Sequence, residues 1–302
     1  MPDLAFTPLP DTPAALLGES PFWHPTEAAL YWCDIPGRAL HRHHPATNTH
    51  REWHFDVEPA SVAPLAGGGL LLAMRDGLHR FDPATGRRTP LHAPPYDPAD
   101  QRFNDGKADP LGRFWVGTIH DRRAPEAALY CWDGAHNGLA RHAEGLTTCN
   151  GLGWSPDGRT QYWSDTKAHT IYAADRQPGD GALAAPRVFA RFDPKPDSGA
   201  LAGYGGRPDG AAVDSEGAYW VAMFEGQRLL RLAGDDGRVL QDIPLPVRCA
   251  TMPCFGGADL KTLFVTTARD KRPDDELAAQ PWAGRVLCAR VEVPGLPVNF
   301  AV

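Results

Sequence analysis

Residues 154–166, WSPDGRTQYWSDT, join a turn rich in Gly, Asp and Pro to a run of aromatic and β-branched residues. The same pattern recurs on either side of this stretch. Its copies are residues 24–35 (HPTEAALYWCDI), 63–74 (APLAGGGLLLAM), 108–119 (ADPLGRFWVGTI), 213–224 (VDSEGAYWVAMF) and 256–268 (GGADLKTLFVTTA). A second run follows most copies closely, as LHRHH at 40–44, LHRFD at 78–82 and TIYAA at 170–174. Each pair of runs predicts two antiparallel strands joined by a turn. Aligned on Trp32, Leu72, Trp115, Trp163, Trp220 and Phe264, the copies lie about 46 residues apart on average, inside the ~40–50-residue period of a propeller blade. A β-sandwich accounts for regular turns but not for six similar units. The expectation is an all-β, six-bladed β-propeller with four-stranded antiparallel blades, formed as one domain over residues 1–302. Residues 4–9 are expected to pair in the last blade, so that the N- and C-terminal segments close the ring and hide two strand edges.

Composition narrows the function classes. The 302 residues include 31 Gly and 30 Pro, which disfavours a helical bundle. With 42% apolar and 22% charged residues, the chain is not of the disordered class. A net charge of −7 without a basic block predicts neither a nucleic-acid partner nor an anionic membrane. No apolar run approaches the ~18 residues of a membrane span. The first twenty residues lack Lys and Arg and are interrupted by Pro2, Pro8, Pro10 and Pro13, unlike a secretory signal. Six cysteines form no C-x-x-C pair, so reduced, packed thiols in a cytoplasmic protein are expected. No obligate protein partner is evident.

The innermost strands of a propeller surround a channel, so equivalent positions of the blades converge at one mouth. Residues 11–13 places before each aligned aromatic are Glu19, Ser61, Asn104, Asn150, Asp209 and the stretch 251–253. Four of these six are Glu, Asn or Asp, each beside or near a glycine. Asn-Gly and Asp-Gly alone signal turns; their shared phase predicts a site. Converging carboxylates are costly unless a cation lies between them. Glu19, Asn150 and Asp209 form a hard oxygen set suited to Ca²⁺, Mg²⁺ or Mn²⁺. Three protein ligands leave positions for water and substrate.

At these residues the chain resembles the regucalcin/gluconolactonase family, also called the senescence-marker-protein-30 family. The resemblance rests on GESP at 18–21 with LYWCDI at 30–35, RFNDGK at 102–107 continuing through DPLGRFWVGT at 109–118, NGL at 150–152 with WSPDG at 154–158, and PDG at 208–210 with DSEG at 214–217. It covers nearly the whole chain. It implies a six-bladed propeller that hydrolyses sugar lactones with one divalent cation: Ca²⁺ first, with Zn²⁺, Mn²⁺, Mg²⁺ and Fe²⁺ as the other candidates. The family's metal ligands match Glu19, Asn150 and Asp209, the three picked out by phase. Its substrate contacts match Arg102 and Asn104, and Asp121 falls where animal members have a Glu. The family usually has Gly where Ser20 stands. CFGG at 254–257 with TTAR at 266–269 looks more like the bacterial aldonolactonases.

A lactone is a cyclic ester, and its opening needs a polarised carbonyl, a nucleophilic water and a proton for the departing ring oxygen. Asp209 is the candidate base, with Arg102, Asn104 and Asp121 as contacts for a small-molecule sugar lactone. Asp105 adds a further polar group beside Asn104. No G-x-S-x-G, H-E-x-x-H or Walker loop is present, which argues against nucleophilic serine chemistry and gives no signal for the other two. In the cluster of His41, His43 and His44, His41 and His43 alternate on an outer strand and are expected to face solvent or a neighbouring blade rather than a metal, and Cys149 is expected to be a packed thiol. His120, just after the third inner strand, is a weaker candidate for substrate. The long fourth spacing holds an insertion, residues 193–207 (DPKPDSGALAGYGGR), placed to be a lid with Tyr204 as a contact. Three other readings stay open: a non-catalytic Ca²⁺-binding regulator, a propeller scaffold that binds other proteins, and a hydrolase of another ester such as an organophosphate.

Overall fold

Each sequence repeat becomes one antiparallel sheet; five repeats supply four strands laid side by side in chain order, and the sixth supplies three and takes its fourth from the N-terminal segment. The structure is a computed structural model describing residues 4–177, 179–199 and 201–302; residues 1–3 of the expected domain and Ala200 of the insertion lie outside it. The six inner strands are Gly18–His24, Pro59–Pro64, Gln101–Ala108, Cys149–Trp154, Arg207–Val213 and Ala250–Gly256, heading blades 1 to 6. Aromatic and aliphatic runs make the second strands: Ala29–Asp34, Leu70–Met74 and Phe114–His120 are buried along their whole length. Fourth strands such as Thr49–His54 and Val239–Pro244 are mostly exposed. The polarity gradient of each repeat is therefore a gradient from channel to rim.

Blades pack face to face through the aligned aromatics. Trp23 of blade 1 stacks on Phe264 of blade 6 at 6.0 Å, and Trp220 of blade 5 meets Phe255 of blade 6 edge-on at 5.6 Å. Such pairs add about 0.5–1.5 kcal/mol beyond the area they bury. The recurrent turn has its own brace. Asp109 accepts from Trp115 Nε1 at 2.9 Å, and Asp214 accepts from Trp220 Nε1 at the same distance. Arg113 and Arg176 neutralise Asp109, and Arg231 neutralises Asp214.

Closure follows the expectation. Thr7–Pro8 pairs with Leu287–Arg290 as the outermost strand of blade 6, and Leu9 N donates to Val286 O at 2.8 Å. The C-terminal segment crosses one mouth of the channel: Leu296 N bonds Val213 O in blade 5, and Val302 N bonds Gly112 O in blade 3. The open mouth is thus at the N-terminal ends of the inner strands.

Every inner strand carries a register shift near that end, between Glu19 and Phe22, Pro59 and Ser61, Phe103 and Gly106, Asn150 and Gly153, Pro208 and Ala211, and Ala250 and Met252. A bulge bends a strand and re-aims the side chains around it. The Asn-Gly and Asp-Gly pairs therefore stand in bulged strands, not in connecting turns. Their glycines serve close approach of neighbouring strands. Gly151 has φ of 67°, and a Cβ there would lie 2.4 Å from Tyr219 Oη. Ser20 occupies the left-handed region, at φ of 50°, where glycine is favoured; its Oγ accepts from Val62 N at 3.0 Å, which offsets part of the strain.

The six cysteines are free, and all but Cys288 are buried. His41 and His43 are buried against other rings, which corrects the solvent-facing alternative. Among the described residues the one α-helix, Asp274–Ala279, is short, and no helix is long and apolar enough to cross a membrane.

Candidate active site

A cavity of about 310 Å³ opens at the free mouth, and Glu19, Arg102, Asn104, Asn150 and Asp209 all line it. Four of the six phase-equivalent positions thus converge as expected. The other two turn into the protein: Ser61 is fully buried, and Thr251 donates to Gly18 O at 2.5 Å.

The side chains form one hydrogen-bonded line across three blades. Arg102 Nη1 donates to Asn104 Oδ1 at 2.8 Å. Asn104 Nδ2 donates to Asn150 Oδ1 at 2.7 Å and to Cys149 O at 3.0 Å. Asn150 Nδ2 donates to Asp209 Oδ1 at 2.6 Å and to Thr166 Oγ1 at 2.7 Å. Two carboxylates on second strands hold the chain just before the site residues. Asp34 accepts from the amides of Leu16 and Leu17, two residues ahead of Glu19. Asp165 does the same for Thr147 and Thr148, two residues ahead of Asn150.

Electrostatics distinguish this mouth from the closed one, whose cavity of about 270 Å³ has no carboxylate in its wall. Burial, then the nearby Asp209 and Asp105 carboxylates, push Glu19 well above the usual range. Burial pushes Asp209 up to about 8, against the opposing pull of Arg207. Burial lowers Arg102 to about 10. Each ionised form wants a counter-charge that the protein supplies only in part. The hard oxygens of Glu19 and Asp209, with the Asn150 amide oxygen retaining one lone pair beyond its bond from Asn104, are chemically fitted to a divalent cation.

Asp105 lies behind this wall rather than in it. The bulge aims Asn104 at the mouth and turns Asp105 inward, where Oδ2 accepts from Leu152 N at 3.0 Å and Oδ1 is buried without a partner. Asp121 is placed at the rim, outside the cavity wall, and accepts from Arg75 at 3.1 and 3.3 Å. His120 is buried outside the wall, with Nδ1 accepting from Arg122 N. Tyr204 packs against His169, with a 2.7 Å bond between Oη and Nε2, and does not reach the cavity. The end of the same insertion does, through Arg207.

Sequence reading missed three cations of the wall: Arg123, Lys167 and Arg207. Each lies on a connection or at a strand start, outside the aligned positions, so the repeat phase carried no signal for them. Of the four cations lining the mouth, only Arg207 has a carboxylate within ion-pair distance among the described residues, Glu225 at 3.2 Å.

The family model of the SMP-30/gluconolactonase/LRE-like region matches residues 17–269. The chain belongs to the SMP-30/gluconolactonase family. Among its members, the 6-deoxy-6-sulfogluconolactonase of Pseudomonas putida is 40% identical over 285 residues, 93% of each chain. The regucalcin of Oryctolagus cuniculus is 31% identical over 287 residues, again 93% of each. The crystal structure of a calcium-binding protein, regucalcin from Agrobacterium tumefaciens, superposes with a TM-score of 0.91 at 27% identity, covering 99% of this chain and 98% of the other. The match thus spans all six inner strands, among them the four that bear Glu19, Asn104, Asn150 and Asp209.

Proposed function

We propose that the protein hydrolyses an aldonolactone to the open sugar acid, with one divalent cation held by Glu19, Asn150 and Asp209. The observation that carries this reading is the convergence of two buried, upshifted carboxylates and an amide oxygen beside an uncompensated guanidinium at one open mouth. The lactonase and regucalcin names of its relatives support it. A bound cation supplies Lewis-acid polarisation of a carbonyl and acidifies water; Ca²⁺ is the first choice for the oxygen set.

The chain's own residues supply the rest. Arg102 anchors its guanidinium through Nη1 to Phe103 O and Asn104 Oδ1, leaving its other N–H groups to bond the substrate. Asn104 is held from both sides and so orients Asn150. Asp209 takes a proton from the attacking water as the water oxygen bonds to the carbonyl carbon. The ring C–O bond breaks, and that proton passes to the departing ring oxygen. The product is the hydroxy acid.

Substrate charge is a second element of the reading. Arg102, Arg123 and Lys167 line the mouth without a carboxylate partner among the described residues, so the site favours a lactone carrying an anionic substituent. The Pseudomonas relative is named for a sulfonated gluconolactone, which is such a molecule.

The test is acid release by chelator-treated protein from a panel of aldonolactones, with and without a sulfonate, under each of Ca²⁺, Zn²⁺, Mn²⁺, Mg²⁺ and Fe²⁺. A site that hydrogen-bonds hydroxyls rejects analogues lacking them, so an unsubstituted lactone is expected to give a much lower kcat/KM. Equal values for the two rings, or turnover indifferent to cations, overturn the proposal. Cation binding with no turnover of any ester would favour a regulator.

A further inference from the structure

Blade 1 carries a second set of convergent donors, on strands that line no part of the channel. Its outer strands, Ala39–His44 and Thr49–His54, pair with His41 opposite Glu52 and His43 opposite His50. Side chains alternate along a strand, so these four residues and His54 share one face of the blade. On that face His41 Nδ1 lies 3.3 Å from His50 Nε2 and 3.6 Å from Glu52 Oε2. His50 Nε2 lies 4.0 Å from the same carboxylate oxygen. Trp32 backs the group, stacked on His41 with ring centroids 5.0 Å apart at 16°.

Three ligand-type atoms from three residues therefore form a triangle with edges of 3.3 to 4.0 Å. Zinc–nitrogen bonds of about 2.0–2.1 Å place tetrahedral ligands roughly 3.3 Å apart. The triangle needs only small side-chain adjustments to close on an ion. A neutral imidazole is the commonest metal ligand.

We propose that His41 Nδ1, His50 Nε2 and Glu52 Oε2 form a binding site for a first-row transition-metal ion, for which Zn²⁺ is the best match. Two imidazoles and one carboxylate suit Zn²⁺ and do not suit Ca²⁺ or Mg²⁺, which take oxygen ligands. The fourth position lies on the Glu52 side, the most exposed of the three residues, open to water. His54 Nε2 lies 3.1 Å from Glu52 Oε1 and orients that carboxylate. The ion ties together the two outer strands of blade 1, whose connecting turn also bonds the N-terminal segment through Asn48 and Asp11. The site is independent of the channel cation in both ligands and chemistry.

Chelator-treated full-length protein is titrated with Zn²⁺ by calorimetry and with Co²⁺ by visible absorption, which is intense for tetrahedral nitrogen–oxygen ligation and weak for an octahedral oxygen site. The wild type and the channel variant Asp209→Asn are both expected to bind Zn²⁺ here and to show the intense Co²⁺ band, with a Zn²⁺-dependent rise in Tm. His50→Gln and Glu52→Gln, which alter partly exposed side chains and spare the Trp32–His41 stack, are expected to lose the band. Their Zn²⁺ affinity at this site should fall by more than the ~10–100-fold typical of outer-shell changes. An intense band absent from the wild type, or retained unchanged in both variants, overturns the assignment.

Discussion

Asn104 and Asn150, on the inner strands of adjacent blades, are joined side chain to side chain: Nδ2 of Asn104 lies 2.7 Å from Oδ1 of Asn150. Arg102 fixes the Asn104 amide from the other side, so the orientation of Asn150 is inherited from blade 3. Asn104→Ala leaves buried groups of Asn150, Arg102 and Cys149 without their partner, at about 1–3 kcal/mol. The expected result is a fall of roughly 10–100-fold in kcat/KM, with weaker cation binding by calorimetry. Unchanged cation affinity would separate Asn104 from Asn150.

Asp209 links the site to pH. Burial raises its folded value from 3.8 to about 8, so the cation-free fold binds a proton that the unfolded chain has released. That contribution to stability is fully present below 3.8 and is lost as pH rises through about 8. The Tm of chelated protein is therefore expected to fall across this window, and a divalent cation at the alkaline end to restore it. Asp209→Asn should flatten the slope and abolish cation-dependent turnover while retaining the fold. A slope identical in wild type and variant contradicts the assignment.

Arg102 makes no ion pair among the described residues, and its cationic head cannot ligate a metal. Arg102→Ala is expected to reduce kcat/KM for a hydroxylated or sulfonated lactone by more than tenfold, the loss of roughly 1.5–3 kcal/mol typical of a charged hydrogen bond. Calorimetry of the cation alone should be nearly unchanged. A large drop in cation affinity would place Arg102 in structural support of the ligands.

Asp165 positions Asn150 without touching the cavity, through the amides of Thr147 and Thr148 and the Thr147 hydroxyl. Asp165→Ala is expected to cost about 1–3 kcal/mol of stability and to weaken cation binding. Asp165→Asn, which keeps an acceptor oxygen, should recover part of both. Denaturant unfolding and calorimetry on the two variants check this; full retention of cation affinity in Asp165→Ala refutes the positioning role.

The repeat period, the strand pattern and the ring closure were all legible in the chain, because each depends on local residue order: a turn, an apolar run, a spacing. Glu19, Asn104, Asn150 and Asp209 were legible for the same reason, since blade symmetry converts equal phase into a common mouth. Tertiary structure alone decided what does not repeat. Asn104 and Asp105 are neighbours in sequence, yet a bulge sends one to the mouth and the other behind it. Arg123, Lys167 and Arg207 reach the cavity from connections whose paths no period encodes. His41 becomes a neighbour of His50 and Glu52 only through the register of two outer strands. Such contacts arise from the packing of segments distant or out of phase in sequence, and composition and periodicity carry no record of them.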